Sequence, residues 1–399
     1  MTNNERGRKS PFSDTKRTQF ILLVSIYLLM AAYAFSNTML GPLMGKMIND
    51  YRLDLSQGAL PVTFQSIGGL LAIIFGGILA DIYKKPNIII LGFLLYSFGL
   101  LAVGSAPAYP LLLMSFFVIG ISRMVDTVLN AYISDLFPEK RSKYLSLLHT
   151  FFGIGAFSGP LFVRVITDVD GTWNRPYRFL AFGCLALLLF FILCIPKSTT
   201  QMRHEVKQVT DKSSFKEILT SKYIWLLCLI MFLYSGHQNG VSVWLPMYME
   251  TGLNASPALS STGLSIFWLG IIAGRLGASF LPENFQGKKL IGIGSFIGGI
   301  LLGMGIILKN PILLIVFSGF AGFLTGAIIP MIVAMACDRH SKNSGTASSM
   351  IFISGTLASM LFPPSIGKIA EAFSFQIAMS LTFIPLILIL FVTLFLADS

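Results

Sequence analysis

Twelve stretches of this chain are each long and apolar enough to cross a lipid bilayer, and that repetition restricts the fold more than any other feature. Crossing the hydrocarbon in a helix takes about 20 mostly apolar residues. The stretches lie at 19–44, 57–82, 87–105, 109–136, 142–167, 176–195, 222–250, 259–281, 287–308, 311–336, 343–368 and 375–397. The composition agrees with this reading. The chain is 54% hydrophobic and 12% charged, against roughly 25% charged in soluble domains. A soluble fold of 399 residues could not enclose so much apolar surface. Abundant Phe and Gly suit helices that face lipid with rings and approach one another at small residues. The segment before residue 19 is polar and basic, with no small-residue cleavage site after the first apolar run. That run therefore reads as a first spanning helix.

The connections are short except one. Residues 196–221 are polar and carry Lys197, Arg203, Lys207, Lys212 and Lys216, dividing the spans six and six. The expected organisation is a tail at 1–18, a six-helix domain at 19–195, a central loop at 196–221 and a second six-helix domain at 222–399. Lys and Arg are distributed unevenly about these spans. Twenty lie on the side that holds the tail and the central loop, and seven, including Arg175 and Arg178, on the other. That asymmetry predicts a multi-pass protein of the cytoplasmic membrane with both termini in the cytoplasm. It also accounts for the net charge of +11 without nucleic acid as a partner. The cysteines Cys184, Cys194, Cys228 and Cys337 form no CxxC pair and read as small buried hydrophobes.

The halves echo each other at an offset of roughly 200 residues. GGILADIYKK ends the second span and AGRLGASFL the eighth. EKRSK precedes the fifth span and DRHSK the eleventh. Gly159-Pro160 has a counterpart in Pro363-Pro364. Internal repeats of this kind build many secondary transporters, with the solute site between the halves.

Ionisable residues at membrane depth are costly and mark function. Of the 18 acids, Asp126 alone falls near the middle of a predicted span, with Arg123 one turn before it. Arg123, Asp126, Thr127, Asn130 and Ser134 share one helical stripe, which should face a wet cavity. The alternative is an intrahelical Arg–Asp pair that only locks packing. In the seventh span, Gly236-His237-Gln238-Asn239-Gly240 interrupts an apolar run. Its amides and imidazole suit binding of hydroxyls, and the interruption could serve as a flexible gate. Tyr33 and Asn37 in the first span, Gln65 in the second, and Trp244 and Trp268 as stacking platforms complete the candidate solute contacts. His149 stands near the start of the fifth span. No second His or Cys lies at ligand spacing from His237, so no metal is expected.

The chain resembles the major facilitator superfamily in its twelve spans, its six-and-six split and its match to G-x-L-A-D-R-x-G-R-K at Gly77, Leu79, Ala80 and Asp81. Lys84 and Lys85 supply the basic end, and Ile82 replaces the usual Arg. Within the superfamily it is most similar to the fucose/galactose/glucose–proton symporter group. The similarity lies in Asp126-Thr127-x-x-Asn130, LSLLHTFFGIGAFSGPL, WLPMY and SIFWLGIIAGRL, whereas Asn37 occupies a region where that group can carry an acid. The resemblance implies a gating role for Asp81, Lys84, Lys85 and Arg275, as inter-helix charge contacts that hold an outward-facing state. It implies an all-α membrane protein of two six-helix pseudo-repeats, the major facilitator fold, around a central cavity.

The expected function is secondary active transport by alternating access, namely proton-coupled uptake of a small polar solute such as a sugar. Asp126 and Arg123 would couple the proton. The alternative is a proton-coupled efflux antiporter for drugs or metabolites. A partial antiporter signature, Gly155-x-x-x-Gly159-Pro160, favours that alternative less than simple close packing does. The expected partners are a small-molecule solute, protons and the lipid bilayer, with the monomer as functional unit and no cofactor. The sequence holds no GxxxxGK[ST], GxSxG or HExxH, which argues against an ATP-driven pump or an enzyme.

Overall fold

A computed structural model describes residues 12–137, 141–195, 218–278, 280, 287–340 and 344–396, with backbone alone for 12–18, 74–82, 141–142 and 168–170. The described residues are helical almost throughout. The first half comprises α1 (Phe12–Tyr51), the single turn α2 (Leu55–Gly58), α3 (Leu60–Ile82), α4 (Lys85–Val103), α5 (Tyr109–Ile121), α6 (Met124–Leu136), α7 (Arg141–Asp170) and α8 (Arg175–Cys194). The second comprises α9 (Lys222–Met247), a π-turn at Tyr248–Gly252, α10 (Pro257–Ala278), α11 (Gly287–Ile307), α12 (Pro311–Thr325), α13 (Ile328–Arg339), α14 (Ser344–Ala372), the single turn α15 (Phe375–Ala378) and α16 (Ser380–Leu394). Eleven helical stretches have the length and hydropathy of membrane spans among the described residues. α3 is a further apolar helix of 23 residues.

Two predicted spans prove to be broken helices. The fourth divides into α5 and α6 at Ser122-Arg123, and the tenth into α12 and α13 at Gly326-Ala327. The seventh is the reverse case. The predicted interruption at Gly236–Gly240 does not occur, because α9 runs unbroken through it. Its two glycines instead receive the side chains of Phe362 and Ile366 from α14. Helix starts follow local chemistry. Proline opens α4, α5, α8 and α12, where its missing N–H costs nothing. Asn310 caps α12 through its side-chain oxygen.

The packing of the first half recurs in the second. α1 lies on α7 as α9 lies on α14, α3 on α5 as α10 on α12, and α4 on α8 as α11 on α16. The halves meet through α1 on α9, α7 on α10, and α3 on α14. Exchanging the halves maps the first contact onto itself and the other two onto each other, as a pseudo-two-fold axis requires.

Even numbers of spans put the start of α1 and the end of α16 on one face of the bundle, here termed the terminal face. The halves are joined away from it. One apolar core unites the first half with the far ends of α9, α10, α11, α12 and α14. The terminal-face ends of α9, α11, α13, α14 and α16 form a separate core around Ile224, Met231, Ile332 and Ile389. Among the described residues the hydrogen bonds between the halves lie at or beyond mid-depth. Ser56 N donates to Glu371 Oε1 (2.7 Å), Thr63 Oγ1 to Met360 O (2.9 Å) and Ser265 Oγ to Phe157 O (2.9 Å). Among the described residues the contacts that join the halves concentrate toward the far face.

Candidate functional site

The break between α5 and α6 sets the geometry of the first half. Arg123 N, Val125 N and Asp126 N each bond three residues back, to Gly120, Ser122 and Arg123, in place of the four-residue spacing of an α-helix. The new helix then opens with Asp126 in its first turn, where backbone N–H groups and the helix dipole favour a carboxylate. Asn130 Nδ2 donates to Asp126 Oδ1 (3.0 Å) and to Asp126 O (2.8 Å), and Ser134 Oγ donates to Asn130 O (2.8 Å). Among the described residues no ion pair joins Arg123 to Asp126, so the packing-lock alternative is not what this helix builds. The stem of Arg123 crosses Gly69 of α3. Thr127, deep within the bundle, is exposed.

Close helix approach brings further polar groups to this point. A side chain at Gly120 would run into the backbone carbonyl of Gln65, so glycine is what lets α5 lie directly on α3. Gln65 Nε2 donates to Asn37 Oδ1 (3.0 Å), and Asn37 Nδ2 to Tyr33 O (3.4 Å). Tyr33 packs on Tyr96 and lies within electrostatic reach of Arg123 and Asp126. Six of the sequence-predicted residues, Tyr33, Asn37, Gln65, Arg123, Asp126 and Asn130, thus form one cluster.

The second half approaches the cluster through α9. Gly41 of α1 abuts the carbonyls of Ser242 and Val243, and a side chain there would push the halves apart. Both helices run away from the terminal face. One turn back, about 5.4 Å, Gln238 therefore stands level with Asn37. Tyr33-x3-Asn37-x3-Gly41 and Tyr234-x3-Gln238-x3-Ser242 are a repeat that the sequence reading missed, legible only once the offset is applied to polar positions. Gln238 is buried and its Nε2 has no partner. Trp268, whose indole N–H is likewise unpartnered, touches Phe152, which touches Tyr33.

Other predicted contacts are engaged within the second half. His237 is fully buried, and its Nδ1–H donates to Thr382 O (2.6 Å). Asn239 Nδ2 donates to Ser235 O (2.8 Å) and Ser359 Oγ (2.9 Å). Trp244 is no open stacking platform in this conformation: its ring is fully buried against Phe375 and its Nε1 donates to Pro363 O (2.8 Å).

The gating candidates separate. Lys85 pairs with Asp135 at the terminal-face end of α6. Lys84 is exposed at the start of α4. The side chain of Asp81 lies outside the described residues. Arg275 makes no charge contact with an acid among them; its Nε donates to Gly326 O (3.1 Å), a carbonyl freed by the break between α12 and α13. His149, exposed on α7, lies within electrostatic reach of both Asp126 and Arg275 and so faces both halves. The partial antiporter signature is accounted for by packing, since Gly155 and Gly159 sit against α1 backbone at Ala31 and Phe35. The cysteines are free, and two of them, Cys194 and Cys337, are only half-buried, which corrects the expectation that all four are enclosed.

The profile of the Major Facilitator Superfamily matches residues 26–308 and 249–399. A Protein TsgA homolog of Buchnera aphidicola subsp. Schizaphis graminum is 23% identical over 335 residues, covering 83% of this chain and 84% of the relative. The glucose/mannose transporter GlcP of Bacillus subtilis is 24% identical over 265 residues, 65% of each chain. A putative glucose/galactose transporter of Helicobacter pylori is 24% identical over 323 residues, 75% of this chain and 77% of the relative. Among solved structures, a bacterial homolog of the human lysosomal transporter Spinster in an inward-facing, unoccupied conformation superposes with a TM-score of 0.72 at 14% identity. That match covers 96% of both chains.

Proposed function

Because the chain belongs to the Major Facilitator Superfamily, and is a multi-pass membrane transporter of small solutes rather than an enzyme, we propose that it carries out proton-coupled uptake of a small polar solute, a sugar or a related metabolite. The observation that carries this reading is the polar cluster of Tyr33, Asn37, Gln65, Asp126 and Asn130, placed beneath the Gly41–Ser242 closure with Gln238 level on the opposing helix. Amides and a phenol in an apolar bundle suit a solute rich in hydroxyls, because each hydroxyl both donates and accepts. The names of the glucose/mannose and glucose/galactose relatives support the same solute class.

In this reading the terminal face is cytoplasmic, on the Lys and Arg asymmetry, and the structure is the inward-open member of an alternating pair. Asp126 exchanges the coupling proton with the open side, Arg123 sets its local field, and solute fills the level between Asn37 and Gln238. Asp81, Lys84 and Lys85 act when the terminal face closes. The test is an uptake assay in proteoliposomes with labelled glucose, mannose, galactose and fucose, with and without an imposed pH gradient. Accumulation above equilibrium only with the inside alkaline supports symport. Extrusion under the same gradient supports the antiporter alternative, and no movement of any sugar refutes the solute class.

A further inference from the structure

A second site stands outside the transport path, where α9 begins, α13 ends and α16 ends on the terminal face. A cleft of about 510 Å³ lies between these helix ends, lined by Ser221, Lys222, Tyr223, Arg339, His340 and Phe395 among others. Ser221 Oγ and His340 Nε2 are 3.3 Å apart, and the Arg339 guanidinium lies 5.3 Å from the centre of the Tyr223 ring. Lys288 Nζ donates to Leu396 O (2.6 Å), bringing a further cation to the same rim. No acid lines the cleft among the described residues; Asp338, beside Arg339, is exposed and within reach of Tyr223. Lys222 and Arg339 thus converge on the cleft, and an anion seated there would offset their repulsion.

The depth of the cleft and its apolar side identify the anion. The cleft sits at the ends of spanning helices, the level of lipid headgroups, and Trp225 and Phe395 stand exposed there. From Phe395 an exposed stripe continues down α16 through Phe391, Leu388 and Ile384, at helical spacing. A soluble phosphate has no use for that stripe, whereas a lipid would bond its phosphate to Arg339, Lys222 and Ser221 and lay an acyl chain along it. Basic pockets at this depth suit anionic headgroups. We propose that this cleft binds the phosphodiester headgroup of an anionic phospholipid from the leaflet on the terminal face.

The test uses the full chain in phosphatidylcholine nanodiscs, with phosphatidylglycerol titrated in and lipid adducts counted by native mass spectrometry. The wild type is expected to retain phosphatidylglycerol in preference to phosphatidylcholine. The preference should fall by about tenfold or more in Lys222→Gln/Arg339→Gln, given roughly one kcal/mol per basic residue. Lys222→Gln alone, at an exposed position, should show part of the fall and serves if the double variant does not fold. Equal retention of both lipids by the wild type, or an unchanged preference in the variants, would overturn the site. So would displacement of the bound lipid by millimolar inorganic phosphate, since the cleft would then be reading a soluble anion.

Discussion

Asp126 combines three properties that no other described acid shares: mid-bundle depth, placement in the first turn of a broken helix, and a side-chain amide bonded to one oxygen. Asp126→Asn preserves shape and removes the proton. The expected outcome is loss of pH-driven accumulation, with counterflow exchange between solute-loaded compartments retained, both measured in proteoliposomes. Accumulation against a solute gradient by Asp126→Asn would move the coupling site elsewhere. Much of this was legible in the sequence, because an acid inside an apolar run is conspicuous. His149 was only half legible: its sequence position gives no sign that it faces Arg275 across the divide between the halves.

The helix pairs α3–α5 and α10–α12 owe their closeness to glycine. Gly120 meets the backbone at Gln65, and Gly322 and Gly326 meet it at Phe267 and Ile271. In lipid no hydrophobic effect draws helices together, so such contacts carry association. Gly120→Val should lower stability by about 1–3 kcal/mol through overpacking, seen as a lower melting temperature in detergent. Gly183, on an open face of α8 with nothing within 4 Å of where a Cβ would stand, gives the contrast. Gly183→Ala should be neutral or raise stability by up to about 1 kcal/mol. Equal losses in both would mean that glycine acts here through flexibility rather than contact. Spans were read from sequence to within a few residues, apart from α1, which runs past the expected 19–44 at both ends, over Phe12–Tyr51. The breaks at Ser122-Arg123 and Gly326-Ala327 were not, although Pro330, four residues after Gly326, lacks the N–H that the Gly326 carbonyl would accept and so marks the second break locally.

The molecule as a whole is held closed on one face by small, replaceable contacts. Glu371 accepts from the backbone at Ser56, and Gly41 fits under Ser242. Glu371→Ala should weaken this closure, and Gly41→Leu should prevent it. Spin labels at Thr172 and Lys309, both exposed on the far face, should then report a longer distance population, larger for Gly41→Leu. Unchanged distributions in both variants would place the closure elsewhere. Orientation in the membrane is a separate matter. A cysteine at Thr172 should react with an impermeant maleimide in intact cells, whereas one at Lys207 should not; the opposite pattern would invert the proposed topology.

The sequence by itself determined the number of spans, the six-and-six repeat, the charge asymmetry and the one mid-depth acid. Each is a property of a residue or of a contiguous run, and the cost of placing a side chain in lipid adds along a run without reference to neighbours. The tertiary structure alone decided which polar groups meet. Tyr33, Asn37 and Gln65 joined Asp126, while His237, Asn239 and Trp244 turned inward to Thr382, Ser359 and Pro363. That choice depends on the rotation of each helix about its axis, set by many small contacts between distant residues. Which face carries the contacts between the halves was likewise decided only in the packed molecule. Two arrangements of the same helices differ by a few kcal/mol, too little to be written in any one segment of the chain.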